Sequence, residues 1–190
     1  PYDVSDVGVI HGRFQVLHND HMKYLMASFD HCKHLIVGIT NAEPEMMQLE
    51  EADPQRSSAS ANPLTYYERY QLIRAALVEC GVELQDFSIV PLPISHPDRY
   101  RFYVPLDAVF FLSIYDDWGK RKREYFESLG LKTLVLREVT LEEKGISGTD
   151  VRERMRNREP WQHMVPKSVA ELLERWDVPS RLRNAVRDQG

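Results

Sequence analysis

The chain has few cysteines, no excess of positive charge and no long apolar run. Cys32 and Cys80 are its 2 cysteines, and they make no Cys-x-x-Cys pair. That excludes a disulfide framework and a cysteine-built metal site, and leaves two reduced thiols of a cytoplasmic protein as the expectation. The net charge is −5, whereas a general nucleic-acid binder would carry a basic stripe. No apolar run approaches the about 18 residues of a membrane span, and no secretory signal pattern opens the sequence. Internal repeats are absent, and a serine-bearing stretch at 57–60 is the nearest thing to low complexity.

What is present is ordinary for a globular protein, with 43% hydrophobic and 28% charged residues over 190 positions. That length can bury a real core. The expected organisation is a catalytic domain over 1–160 with a helical extension of the same domain over 161–190.

Short apolar runs alternate with helical patterns. Strands are expected at 7–10, 34–39, 87–90, 108–112 and 132–136. Helices are expected from Met22, and over 65–80, 120–129, 149–155 and 168–176. Thr65 and Glu68 make a capping box, and Gly81 and Gly130 follow helix ends. The polar stretch 43–62 reads as a long loop. Such alternation predicts an α/β fold: a Rossmann-like, doubly wound parallel sheet of about five strands with helices on both faces. Ligands on such sheets lie beyond the carboxyl ends of the strands.

The segment after the first expected strand reads Gly12-Arg13-Phe14-Gln15-Val16-Leu17-His18-Asn19-Asp20-His21. A strand, a glycine turn and a helix opening with two histidines make a phosphate site. The helix N-terminus offers unbonded N–H groups and partial positive charge. His18 and His21, three apart, are expected on one helical face, within reach of the same phosphates. A zinc site from His11, His18 and His21 lacks the spacing and the cysteine set that would support it. Far down the chain, Gly145-Ile146-Ser147-Gly148-Thr149-Asp150-Val151-Arg152 opens another helix. Ser147 and Thr149 are capping residues there, and Arg152 lies one turn on from Thr149, so a hydroxyl and a guanidinium can meet on one anion.

Together the two segments resemble the nucleotidylyltransferase superfamily, with its HxGH and ISSTxxR-type motifs. The GRFQ start is most like archaeal-type nicotinamide mononucleotide (NMN) adenylyltransferases. The stretches Asn62-Pro63-Leu64-Thr65-Tyr66-Tyr67-Glu68-Arg69 and Glu159-Pro160-Trp161-Gln162-His163-Met164-Val165-Pro166-Lys167-Ser168-Val169 look like that branch too. The pattern departs in three places. Val16 replaces a proline, and Asp20 replaces the glycine between the histidines. Third, Asp116-Asp117-Trp118 stands where the archaeal enzymes tend to carry Ser-Gly-Asn, and it looks like the GDDW segment of glycerol-3-phosphate cytidylyltransferases.

The resemblance implies transfer of a nucleoside monophosphate from ATP or CTP to a small phosphate or phosphonate acceptor, with Mg²⁺ on the triphosphate and no protein-held metal. It implies catalytic roles for His18, His21, Arg13 and Lys23. It implies nucleotide contacts from Gly12, Phe14, Gln15, Asp116, Asp117, Trp118, Arg137, Ser147, Gly148, Thr149 and Arg152. Arg99, Arg101 and Lys120 fall in candidate acceptor regions, and the run Lys120-Arg121-Lys122-Arg123 is either a solvated face or a phosphate contact. A cytoplasmic homo-oligomer without nucleic-acid or membrane partners is expected. Two substrate readings stay open here: an NMN adenylyltransferase, and a CTP-dependent enzyme of a small phosphate or phosphonate. Asp20 keeps a third, a nucleotide-binding regulator without catalysis.

Overall fold

The computed structural model describes residues 4–43, 61–114, 117–138 and 145–187, with backbone only at 117, 118, 138, 186 and 187. Five strands form one parallel sheet: β1 (Ser5–Gly12), β2 (Cys32–Ile39), β3 (Phe87–Pro91), β4 (Val109–Ile114) and β5 (Lys132–Glu138). Their order is β3-β2-β1-β4-β5. Neighbouring side chains on each strand point to opposite faces. Val9, Ile36 and Phe110 enter one buried cluster; Ile10, Leu35 and Phe111 enter the other. A parallel sheet buried on both faces needs such continuous apolar runs.

Six α-helices lie among the described residues: α1 (Asn19–Ser28), α2 (Tyr66–Glu79), α3 (Asp117–Ser128), α4 (Gly148–Arg156), α5 (Lys167–Arg175) and α6 (Val178–Arg187). Leu25 of α1, Leu72 of α2, Val151 of α4, Leu173 of α5 and Leu182 of α6 share one cluster, on the face of Ile10. Phe126 of α3 covers the opposite face with Tyr100, from the 3₁₀ turn Pro97–Phe102. The chain thus winds one way to β3 and the other way to β5. The reversal falls between β1 and β4, where such sheets open a crevice.

The expected strands and the doubly wound sheet are all present. The capping box of α2 forms: the Thr65 hydroxyl accepts from the Glu68 N–H, and the Glu68 carboxylate accepts from the Thr65 N–H. The last helix, α6, was not expected from the sequence. Pro179 breaks a helix interior but is tolerated in a first turn, where its missing N–H has no partner to lose. Both thiols are free, Cys32 buried and Cys80 exposed. No helix among the described residues is long and apolar enough to cross a membrane. The expected loop 43–62 lies mostly outside the described residues.

Candidate active site

The turn after β1 is held by buried polar contacts. Phe14 takes a left-handed φ of 54°, which a bulky residue adopts only when packing over-determines it. Its ring is 1% exposed and meets the His21 ring at 5.0 Å. Gln15 reaches across to Leu64. Its Nε2 donates to the Leu64 carbonyl at 2.8 Å, and its Oε1 accepts from the Leu64 N–H at 3.0 Å. Both residues were expected to contact nucleotide. Their side chains are taken up by packing and by Leu64, and these contacts shape the turn.

His18 is not on the helix, as the spacing had suggested; it is the N-cap of α1, in an extended conformation (φ −132°). The His18 Nδ1 accepts from the His21 N–H, and the His21 Nδ1 accepts from the His18 N–H, both at 3.3 Å. The two rings stack with centroids 3.7 Å apart. A backbone N–H can only donate, so both Nδ1 atoms are acceptors. Each neutral ring therefore carries its proton on Nε2, where it serves as a donor. Two parallel N–H donors at a helix N-terminus suit a phosphate.

The distant segment joins this turn through one side chain. Ser147 caps α4, accepting from the Asp150 N–H at 3.1 Å, while its own N–H donates to the Asp150 carboxylate at 2.9 Å. Arg152 donates through Nη2 to the Thr149 hydroxyl at 3.2 Å, so the spacing does bring the two groups together. Its Nη1 donates to the Gln15 carbonyl, which ties α4 to the β1–α1 turn. Gly148 permits this approach: a Cβ there would stand 3.1 Å from the Gln15 carbonyl oxygen.

A second buried guanidinium escaped the sequence reading. Arg69 is fully buried and donates to four carbonyls: Thr65 at 3.2 Å, Arg13 at 3.1 Å, Thr40 at 2.8 Å and Asn41 at 2.8 Å. It fastens the ends of β1 and β2 to the start of α2. Burial, with the nearby charge of Arg13, lowers Arg69 to about 10; burial, then Arg13 and Arg156, lower Arg152 to about 10. Both stay protonated at neutral pH. Arg13 thus lies close enough to both buried guanidiniums to repel them, and the three concentrate positive charge around this turn.

Asp20 occupies the second position of α1 and is 6% exposed, with Lys23 as its ion-pair partner at 3.5 Å. Lys23 itself is 69% exposed, at the rim. Arg137 is half-buried in β5, with Ser113 as its register partner in β4. It is separated by a whole strand from the histidine turn. Asp116 lies outside the described residues, as do the side chains of Asp117 and Trp118; the latter two begin α3, beyond the carboxyl end of β4. Thr149 is exposed, and Gly12 ends β1 with the Phe14 ring packed over it. Ser113 Oγ and Asn41 Nδ2 are buried at the same sheet edge without a hydrogen-bond partner among the described residues. No short-range pattern marks Arg69, Asn41 or Ser113, because each is placed by strands distant in sequence.

The chain is similar to known proteins in sequence and in fold. The profile of the cytidylyltransferase-like family matches residues 9–154. A phosphonoformate cytidylyltransferase of Streptomyces viridochromogenes is 43% identical, over 95% of this chain and 97% of its own. A nicotinamide-nucleotide adenylyltransferase of Thermococcus onnurineus is 31% identical, over 88% of this chain and 81% of its own. Among solved structures, a bifunctional NMN adenylyltransferase/ADP ribose pyrophosphatase of Francisella tularensis superposes with a TM-score of 0.63 at 17% identity, over 95% of this chain. This chain spans 53% of that one, so that likeness concerns the fold.

Proposed function

Because this chain belongs to the cytidylyltransferase-like family of nucleotidyltransferases, we propose that it transfers CMP from CTP to a small phosphonate acceptor of the phosphonoformate class. The observation that carries this choice of substrates is the 43% identity, over nearly the full length of both chains, to a phosphonoformate cytidylyltransferase.

The chemistry asks little of the protein beyond donors held in place. The acceptor's phosphonate is ionised at neutral pH and is itself the nucleophile, so no general base is needed. One of its oxygens bonds to the α-phosphorus while the bond from that phosphorus to the bridging oxygen of the β-phosphate breaks. Pyrophosphate leaves with the bonding pair. The Nε2 protons of His18 and His21 meet the charge that builds on the α-phosphate oxygens. Arg13, Arg152 and Thr149 hold the departing β and γ phosphates, with Ser147 and Gly148 shaping the helix start, and Lys23 approaches from the rim.

Mg²⁺ enters as part of the triphosphate. No three acidic, histidine or cysteine side chains gather into a metal cage among the described residues, and the donors around the turn are mostly cationic. That set suits phosphate oxygens and leaves the ion to the nucleotide. Residues 161–190 are taken as an extension of the catalytic domain, since Leu173, Val178 and Leu182 share its buried cluster. A cytoplasmic homo-oligomer without nucleic-acid partners fits a nucleotide-using enzyme with two free thiols; light scattering tests the assembly.

The second reading, an NMN adenylyltransferase, is favoured by the 31% identity to the Thermococcus enzyme. Pyrophosphate release with CTP or ATP, crossed against phosphonoformate and NMN, separates the two. Turnover confined to CTP with phosphonoformate is expected. Turnover confined to ATP with NMN overturns the proposal, and tight nucleotide binding without pyrophosphate release would return the regulator.

A further inference from the structure

His11 lies at the carboxyl end of β1, one residue before the glycine of the phosphate turn. Its neighbours Ile10 and Gly12 face α1, so its own side chain faces α3. The ring meets the edge of Phe126 with centroids 5.5 Å apart. The side chain is 9% exposed, and its Nδ1 is buried with no hydrogen-bond partner among the described residues. A buried polar atom without a partner is rare enough to need a reason. The contrast with His18 and His21 is direct: their Nδ1 atoms are locked by backbone N–H groups, whereas the fold assigns His11 no tautomer.

The charge of Lys122 acts on the His11 ring. In the basic run at 120–123, Lys120, Arg121 and Arg123 are exposed, and Arg123 pairs with Glu127 at 3.0 Å. Lys122 alone in that run is half-buried. It precedes Phe126 by one turn of α3 and so shares the face turned toward β1. Burial, reinforced by the charge of Lys122, keeps the His11 imidazole well below its ordinary 6.5, and therefore neutral at pH 7.

The position is informative. At the switch point, the connection from β1 leaves to one face and that from β4 leaves to the other. A ligand there is gripped from two sides. His18, His21 and Arg152 serve the side of α1. The side of α3 holds His11 and, one turn of that helix before the Phe126 ring it meets, the half-buried Lys122.

We propose that His11 and Lys122 form the acceptor subsite and bind the second anionic group of a small acceptor, the carboxylate that adjoins the phosphonate in a phosphonoformate-class molecule. This rests on the nucleotidyl transfer proposed above. A neutral imidazole gives one N–H to a carboxylate, and an ammonium gives the compensating charge. Held by that end, the acceptor turns its phosphonate toward the α-phosphorus on the other side. A pyridinium acceptor would meet like charge from Lys122.

The test uses the full chain with CTP and Mg²⁺, reading pyrophosphate release from His11→Gln and Lys122→Gln. Phosphonoformate is compared with methylphosphonate, which lacks the carboxylate; where methylphosphonate is not turned over, its inhibition constant is read. Each variant should raise KM for phosphonoformate by roughly tenfold, with kcat within about threefold, as expected when ground-state binding is lost. KM for CTP and the methylphosphonate constant should not move. Thermal unfolding checks each variant, and Lys122→Gln, on the half-buried partner, carries the test should His11→Gln fail to fold. An unmoved KM for phosphonoformate, or equal shifts for both acceptors, overturns the subsite while leaving the reaction standing. Wild-type protein inactive with CTP and phosphonoformate overturns the reaction and the subsite together.

Discussion

The carboxylate of Asp20 fills the space where a side chain on Gly145 would be. A Cβ on Gly145 would stand 2.5 Å from both carboxylate oxygens. Asp20 belongs to the first turn of α1, and Gly145 opens the segment leading into α4. The departure from the family pattern at position 20 is thus matched by a residue that makes room for it. Gly145→Ala is expected to destabilise the protein by about 1–3 kcal/mol through overpacking. The change Asp20→Gly should relieve most of that cost, so a double-mutant cycle by urea unfolding should show coupling of at least about 0.5 kcal/mol. Additive effects would mean that the two residues do not share the space.

The stacked histidines each cap a helix and present a donor, and the two roles can be separated. Asparagine at position 18 keeps an acceptor for the N-terminal N–H groups of α1 but loses the imidazole. His18→Asn should therefore leave stability within about 0.5 kcal/mol while lowering kcat/KM by about a hundredfold. His21→Ala should lower kcat by about 10²–10³ with little change in KM for the triphosphate, since its bond strengthens in the transition state. Steady-state kinetics beside thermal unfolding checks both, and an unchanged kcat for His21→Ala would remove it from the reaction.

Arg69 holds four carbonyls from three segments at once, and lysine cannot copy that fork. Arg69→Lys should cost about 2 kcal/mol or more of stability through carbonyls left without donors. It should also raise KM for CTP, because the turn carrying Arg13 is fastened by this side chain. A variant as stable as the parent in urea would show that the clamp is dispensable.

Arg181 of α6 grips Glu68 of α2 through two bonds, at 2.8 and 2.7 Å. Burial alone would raise the Glu68 carboxyl; the Arg181 hydrogen bonds and the Thr65 N–H outweigh it and lower the group below its ordinary 4.5. A carboxyl lowered in the folded state stabilises fully above its unfolded value. That contribution is lost as the pH falls through the lower, folded one. Glu68→Gln should thus flatten the acid limb of stability against pH just below 4.5, and Arg181→Met should cost about 1 kcal/mol at pH 7, because the pair is partly exposed. Urea titrations across that range decide.

Much of this protein follows from local pattern. The strands, the capping boxes at Thr65 and Ser147 and the Thr149–Arg152 contact depend on residues a few positions apart, and strand and helix periods record them. The turn between β1 and α1 was legible for the same reason, since a strand, a glycine and a helix start are consecutive. Only the tertiary structure decided that Phe14 and Gln15 shape the turn, that His18 caps rather than rides the helix, and that Arg69, Asp20 and His11 are buried. It also added α6, whose apolar face is settled by the cluster that it covers. These outcomes depend on contacts such as Gln15 with Leu64, 49 residues away, and Arg152 with Gln15, 137 residues away. Strand order sets those distances, and strand order is chosen by the whole core at once, so it leaves no periodic trace in the chain.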